Sequence, residues 1–153
     1  MTLHFAVGQA HALNGREASL QATHQALNRL GPVTPTFGMV FASHQYQARD
    51  VVSGISGLLG DTPIIGMSSP VGITNEGAHP NSVVIALMAG DMQAETHWIP
   101  GFAQSAREAG AKLMKTVIDH KDYRALFFFA DGFNGDADQL CNAIPNVTFP
   151  LAG

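Results

Sequence analysis

The chain has 153 residues, of which 46% are hydrophobic and 13% charged, and its net charge is −4. That length makes one domain or most of one, enough to bury roughly two-thirds of the surface the unfolded chain would expose. The eight Lys and Arg are scattered singly, which excludes a phosphate-neutralising stripe and with it nucleic acid, and the one cysteine, Cys141, excludes a disulfide framework or a Cys-based zinc cluster.

Leu3–Val7 alternates briefly and predicts a first strand. Thr2, His4 and Gln9 break any apolar leader there, and no run in the chain reaches the roughly 20 apolar residues of a membrane helix, so a cytoplasmic chain without a membrane segment is expected. Asn14 with Glu17 three residues on reads as a helix cap, and Leu20, Thr23, Leu27 and Leu30 form one stripe of the helix that follows. Gly31-Pro32 ends it. Thr36–Ala42 is a second strand, and Val51, Ile55, Leu58 and Leu59 give a short helix its apolar face, closed by Gly60. Pro63–Gly66 reads as a third, buried strand of the parallel kind.

Ser82–Met88 and Met92–Trp98, separated by Ala89-Gly90-Asp91, predict a β-hairpin. Ser105 and Glu108 repeat the capping pattern before a helix buried through Ala106, Ala109, Leu113 and Val117. Arg124–Ala130 is a strongly apolar strand, and Ala137, Leu140 and Ile144 mark a last short helix stopped by Pro145. Val147–Gly153 looks like a strand cut off as it begins, so residues 1–153 are expected to be truncated at the C-terminal end of a longer protein, which would also account for the sparse charge. The order predicts an α/β fold: a mixed, partly parallel sheet flanked by helices, with one antiparallel hairpin.

Three apolar strands empty into small polar loops: Ala42-Ser43-His44-Gln45-Tyr46, Met67-Ser68-Ser69-Pro70-Val71-Gly72 and Asp131-Gly132-Phe133-Asn134-Gly135-Asp136. If the strands run parallel, the loops share the rim where open α/β sheets hold ligands. Hydroxyls, an imidazole, a phenol, a carboxylate and an amide over an apolar floor suit a small polar metabolite. The competing reading is that these are ordinary turn and cap residues, which Ser, Asp, Asn and Gly favour.

Other chemistries fit less well. Gly66-Met67-Ser68-Ser69-Pro70 approaches the G-x-S-x-G elbow of serine hydrolases, but Pro70 replaces the last glycine and no helical pattern follows. No Gly-rich phosphate motif exists, and close packing explains Gly54 and Gly57. Seven histidines make no H-x-x-x-H pair, and the Asp136-Ala137-Asp138 spacing does not match a calcium loop. His44, directly after a core strand, is the candidate if haem is bound. Cys141, near carboxylates that disfavour its thiolate, is expected to be a small buried hydrophobe.

The ordered set resembles the FIST sensory domain, specifically its N-terminal part. The pieces are Val7-Gly8, the Ala18, Ala22 and Ala26 helix, and Val40-Phe41-Ala42-Ser43 with Tyr46. They continue through Ile64–Ile73, Ser82–Leu87, Phe128–Gly135 and Phe149–Gly153. The resemblance implies a sensory module that binds a small ligand, proposed to be an amino acid or related metabolite, and signals to attached output domains. Some similar members bind haem and respond to nitric oxide. The cysteine often found after the glycine of the strand-end loop is replaced here by Met67, so any role resting on that thiol is absent. The resemblance also implies that the pattern continues past Gly153.

The expectation is therefore a non-enzymatic, cytoplasmic sensory domain with ligand held by Ser43, His44, Tyr46, Ser68, Ser69, Asp131 and Asn134, and with no metal or cofactor. A haem-based nitric oxide sensor using His44 and a hydrolase using Ser68 are the alternatives. A truncated sheet edge invites self-pairing, so a homodimer is also expected.

Overall fold

Strand β1, Leu3–Ala10, runs on past Val7 and leads into helix α1, Gly15–Leu30. Asn14 caps α1 as its side-chain oxygen accepts the Glu17 N–H at 2.9 Å. The computed structural model describes residues 2–118, 122–144 and 151–152. They fall into two compact units, Met1–Thr96 and His97–Gly153.

In the first unit, β2 (Phe37–Ala42), α2 (Ala48–Leu59) and β3 (Ile64–Ser68) follow α1. A two-stranded ribbon of β4 (Val71–Thr74) and β5 (Gly77–Pro80) then leads to β6, Val83–Gly90. The main sheet has the order β1-β6-β2-β3; β6 is antiparallel to both neighbours and β2 is parallel to β3. Strands β1, β2 and β3 therefore point one way.

The core lies on one face of this sheet. Ala6, Val83, Ile85, Leu87 and Ala89 pack with Ala18, Ala22, Ala26 and Leu30 of α1 and Val51, Ile55 and Leu59 of α2. Burying a side chain such as Ile55 stabilises the fold by about 1.5–3 kcal/mol. On the opposite face, Phe5 and Met67 are exposed.

The α1 stripe differs from expectation. Its buried face is Gly15, Ala18, Ser19, Ala22, Thr23, Ala26 and Leu30, whereas Leu20 is exposed. Backbone proximity selects the small residues: a Cβ at Gly8 of β1 would strike the Ala22 carbonyl, and one at Gly54 of α2 would strike Ser19 and the Arg16 carbonyl. Larger side chains would hold these elements apart. The buried hydroxyls donate within the helix, Ser19 to the Arg16 carbonyl at 3.0 Å and Thr23 to the Ser19 carbonyl at 2.7 Å. Gly57, by contrast, has nothing near it, so packing does not explain that glycine.

The expected hairpin is also elsewhere. Ser82–Met88 falls largely in β6, whose two edges are taken by β1 and β2, which leaves no edge for Met92–Trp98; that segment forms no strand. The antiparallel hairpin is β4–β5, immediately after the third strand. Strand β3 is half-buried to exposed rather than buried, because it lies at the end of the strand order.

In the second unit, Ser105 caps α3, Ala106–Val117, by accepting the Glu108 N–H at 3.3 Å. Leu113, Met114 and Val117 pack with Ile99, Tyr123, Leu126, Phe128 and Ile144. The predicted Arg124–Ala130 strand is reduced to β7, Leu126–Phe127, which pairs in parallel with the equally short β8, Leu151–Ala152. Helix α4, Ala137–Ala143, buries Leu140. Cys141 is exposed, a correction that follows from helix geometry: one position on, the side chain turns away from the face Leu140 occupies. The Pro145 stop, His120 and the Val147–Phe149 strand start lie outside the described residues.

Candidate functional site

The register of the main sheet defines a rim. Ala10 and Ala42 both pair with Val83, and Ala42 also pairs with Ser68, so the carboxyl ends of β1, β2 and β3 and the start of β6 are level. Four connections leave this edge: residues 11–14, 43–47, 69–70 and 81–82.

Backbone hydrogen bonds draw them together. Ser69 N–H donates to the Ala42 carbonyl at 2.8 Å, Ser43 N–H to the Ser82 carbonyl at 2.9 Å, and Tyr46 N–H to the Ser43 carbonyl at 3.0 Å. Two of the three polar loops expected from the sequence thus converge, because β2 and β3 are parallel neighbours. The third loop lies in the second unit.

Each expected residue has a definite setting. Ser43 is 3% exposed, and among the described residues nothing pairs with its Oγ. His44 and Ser68 are exposed, and Ser69, half-buried, donates its hydroxyl to the Val71 carbonyl at 2.8 Å. The Tyr46 hydroxyl lies 2.8 Å from the Ala12 carbonyl and 2.9 Å from the Asn81 carbonyl. It therefore fastens the β1, β2 and β6 ends to one another rather than pointing free. Beside it a groove of about 330 Å³ is lined by His11, Ala12, Leu13, Gln45, Tyr46 and Asn81.

In the second unit, Asp131 accepts the Phe133 N–H at 3.1 Å and the Asn134 side-chain amide at 2.6 Å. The Asn134 amide, followed by the Phe133 N–H, holds the Asp131 carboxyl below its usual range. Asp136 caps α4 by accepting the Gln139 N–H at 3.1 Å. These groups are engaged in shaping their own turn.

The sequence reading passed over His11–Leu13 and Asn81. Gly8-Gln9-Ala10 continues the strand alternation and marks the first of these. Asn81, whose φ of 54° is left-handed, follows the strand-ending Pro80, and Asn tolerates that conformation better than most residues. Among the described residues no group of three His, Cys, Asp or Glu could hold a metal ion, and no helix is long and apolar enough to cross a membrane.

The FIST N domain family model matches residues 36–153. The chain belongs to the FIST family. FIST domains are small-ligand sensory domains of signalling proteins. The match begins at the threshold of β2, so β1 and α1 precede it, although β1 belongs to the same sheet as β2 and α1 packs on that sheet. No curated protein matches the chain. Among solved structures, an FtsZ mutant from M. jannaschii is similar at 21% identity and a TM-score of 0.37, over 59% of this chain and 28% of that one. So low a likeness carries no argument about this FIST domain.

Proposed function

We propose that this FIST domain is a non-enzymatic sensor whose ligand, an amino acid or related metabolite, binds at the rim of the main sheet. The carrying observation is the Ser43 hydroxyl, buried at the meeting point of the β2, β3 and β6 ends and lacking a partner among the described residues. Leaving a buried hydroxyl unpaired costs about 1–3 kcal/mol. Native structures leave few such groups, and one explanation of each is a water, ion or ligand that completes it. On this reading a ligand oxygen or nitrogen does so here, with His44 next in the chain and Ser68 opposite Ala42 on the same rim.

Asp131 and Asn134, in the second unit, keep lone pairs and an N–H beyond those used within their own turn. Two features support this reading over its rivals. From Ser68 the chain continues through Ser69 and Pro70 into strand β4, not into the helix a nucleophile elbow requires. His44 is exposed, whereas a haem ligand sits within an apolar pocket. Signalling follows from differential affinity: ligand shifts the population of whichever arrangement of the domain and its attached output domains it binds better. The domain works in the cytoplasm on this reading.

Calorimetric titration with a panel of amino acids tests the proposal. At least one binds, with affinity reduced by both Ser43→Ala and Ser68→Ala. A panel that shows no binding sensitive to either substitution overturns it.

A further inference from the structure

One hydroxyl serves two backbone carbonyls at the groove between the β1 and β2 tips. Tyr46 Oη lies within 3 Å of both the Ala12 and the Asn81 oxygens, at 2.8 and 2.9 Å, while accepting the Ala12 N–H at 3.4 Å. A phenol has a single hydrogen, so whichever carbonyl receives it leaves the other short of a donor. The Gln45 side-chain nitrogen stands 3.5 Å from the Asn81 oxygen, beyond the usual N–H···O range, and does not make good the deficit. Asn81 is held in the left-handed region at φ 54°, which a non-glycine residue keeps when its surroundings fix it.

The residues bearing these acceptors line a groove of about 330 Å³, within the size range of small-ligand sites. Among the described residues no Lys, Arg, Asp or Glu lines it, and the chain as a whole carries −4. Helices α1 and α2 both begin near this edge, and their positive ends are offset by first-turn carboxylates, Glu17 and Asp50. A primary ammonium complements such a lining, because it has three N–H donors and no acceptor. A carboxylate, with acceptors alone, does not.

We propose that this groove seats the primary ammonium group of the rim ligand. The inference rests on the reading of the rim as the ligand site and adds which end of the ligand lies where. The Ala12 and Asn81 carbonyls and the Tyr46 oxygen receive the ammonium hydrogens, and Leu13, fully exposed at the groove mouth, shields one side.

Amide NMR spectra of the isotope-labelled chain, titrated separately with methylammonium, methanol and acetate, test the assignment. Methylammonium moves the Ala12, Leu13 and Gln45 amides to saturation; methanol and acetate do not. Gln45→Lys, at an exposed position, brings an internal ammonium to the Asn81 carbonyl and weakens methylammonium binding about tenfold or more. The charge-matched Asn28→Lys, on exposed α1 surface, leaves the titration unchanged. Equal shifts with acetate or methanol, no shifts with methylammonium, or indifference to Gln45→Lys overturns the proposal. An amino acid that moves the Ser43 and Ser69 amides but not those of Ala12 and Asn81 defeats this assignment while leaving the sensor reading intact. Methylammonium binding without any amino-acid binding does the reverse.

Discussion

The Ser69 amide donates to the Ala42 carbonyl at 2.8 Å, and this bond ties the connection after β3 to the last residue of β2. It forms because β2 and β3 run parallel in register, with Ala42 opposite Ser68, so the backbone beyond each strand end still has a neighbour to bond. The Ser43 amide extends the same pattern to the Ser82 carbonyl at 2.9 Å. The rim is thus tied largely by main-chain hydrogen bonds, with the Tyr46 hydroxyl as a side-chain tie, which leaves the Ser43 hydroxyl available for recognition.

Ser43 separates recognition from stability. Ser43→Ala removes a buried hydroxyl that has no partner among the described residues, so urea denaturation is expected to show stability unchanged or higher by about 1 kcal/mol. The same variant loses a ligand hydrogen bond, and calorimetry is expected to show amino-acid affinity about fivefold to tenfold weaker. A loss of stability instead would mean that the hydroxyl is satisfied within the protein.

Tyr46 works in the opposite sense. Tyr46→Phe keeps the ring but removes the oxygen that links Ala12 to Asn81, and is expected to cost about 1–3 kcal/mol in denaturant titration. Hydrogen exchange at the Ala12 amide, which donates to that oxygen, accelerates in the variant. Unchanged exchange there would show that the loop is held by other contacts.

The fold was legible in the sequence wherever local chemistry decides. Asn14 and Ser105 cap the helices their spacing to Glu17 and Glu108 indicated, and Gly60 closes α2. The Ser43 and Ser69 loops meet as the parallel reading of their strands required. What was misread depends on partners distant in sequence. Ser82–Met88 alternates as a hairpin arm would, but its neighbours are β1 and β2, and nothing local announces that both edges are occupied. The α1 stripe was drawn through the bulky Leu20 and Leu27, whereas the close approach to Gly8 and Gly54 favours Ala18, Ala22 and Ala26. Of the candidate site, the polar side chains were visible and the proposed main-chain acceptors at Ala12 and Asn81 were not, because carbonyls leave no mark in a sequence.

Two glycines give opposite outcomes for the same substitution. Gly8→Ala drives a methyl into the Ala22 carbonyl and the Ala26 amide nitrogen, and is expected to destabilise the fold by about 1–3 kcal/mol or more. Gly57→Ala, in the exposed interior of α2 with nothing within 4 Å, is expected to stabilise by about 0.5–1 kcal/mol through helix propensity. Thermal and urea unfolding of the two variants check both signs. Equal effects would mean that α1 does not lie against β1 as closely as the Gly8 contact requires.

The Asp131 turn carries a pH dependence of defined sign. The Asn134 amide, and next the Phe133 N–H, stabilise the ionised carboxylate and depress its pKa in the folded state. A depressed carboxylate contributes stability that is present above its unfolded pKa and lost as pH falls through the lower, folded value. The turn is therefore ordered at neutral pH and loosens only in acid, below the range where an unengaged aspartate protonates. The side chain is fully exposed, so solvent screens the effect and global stability scarcely registers it. Side-chain NMR titration is the sensitive measurement: the Asp131 midpoint lies below that of Asp in an unstructured peptide, and Asn134→Ala raises it toward that value. A midpoint indifferent to Asn134→Ala would place the cause elsewhere, and would free both residues from the structural duty that now competes with binding ligand.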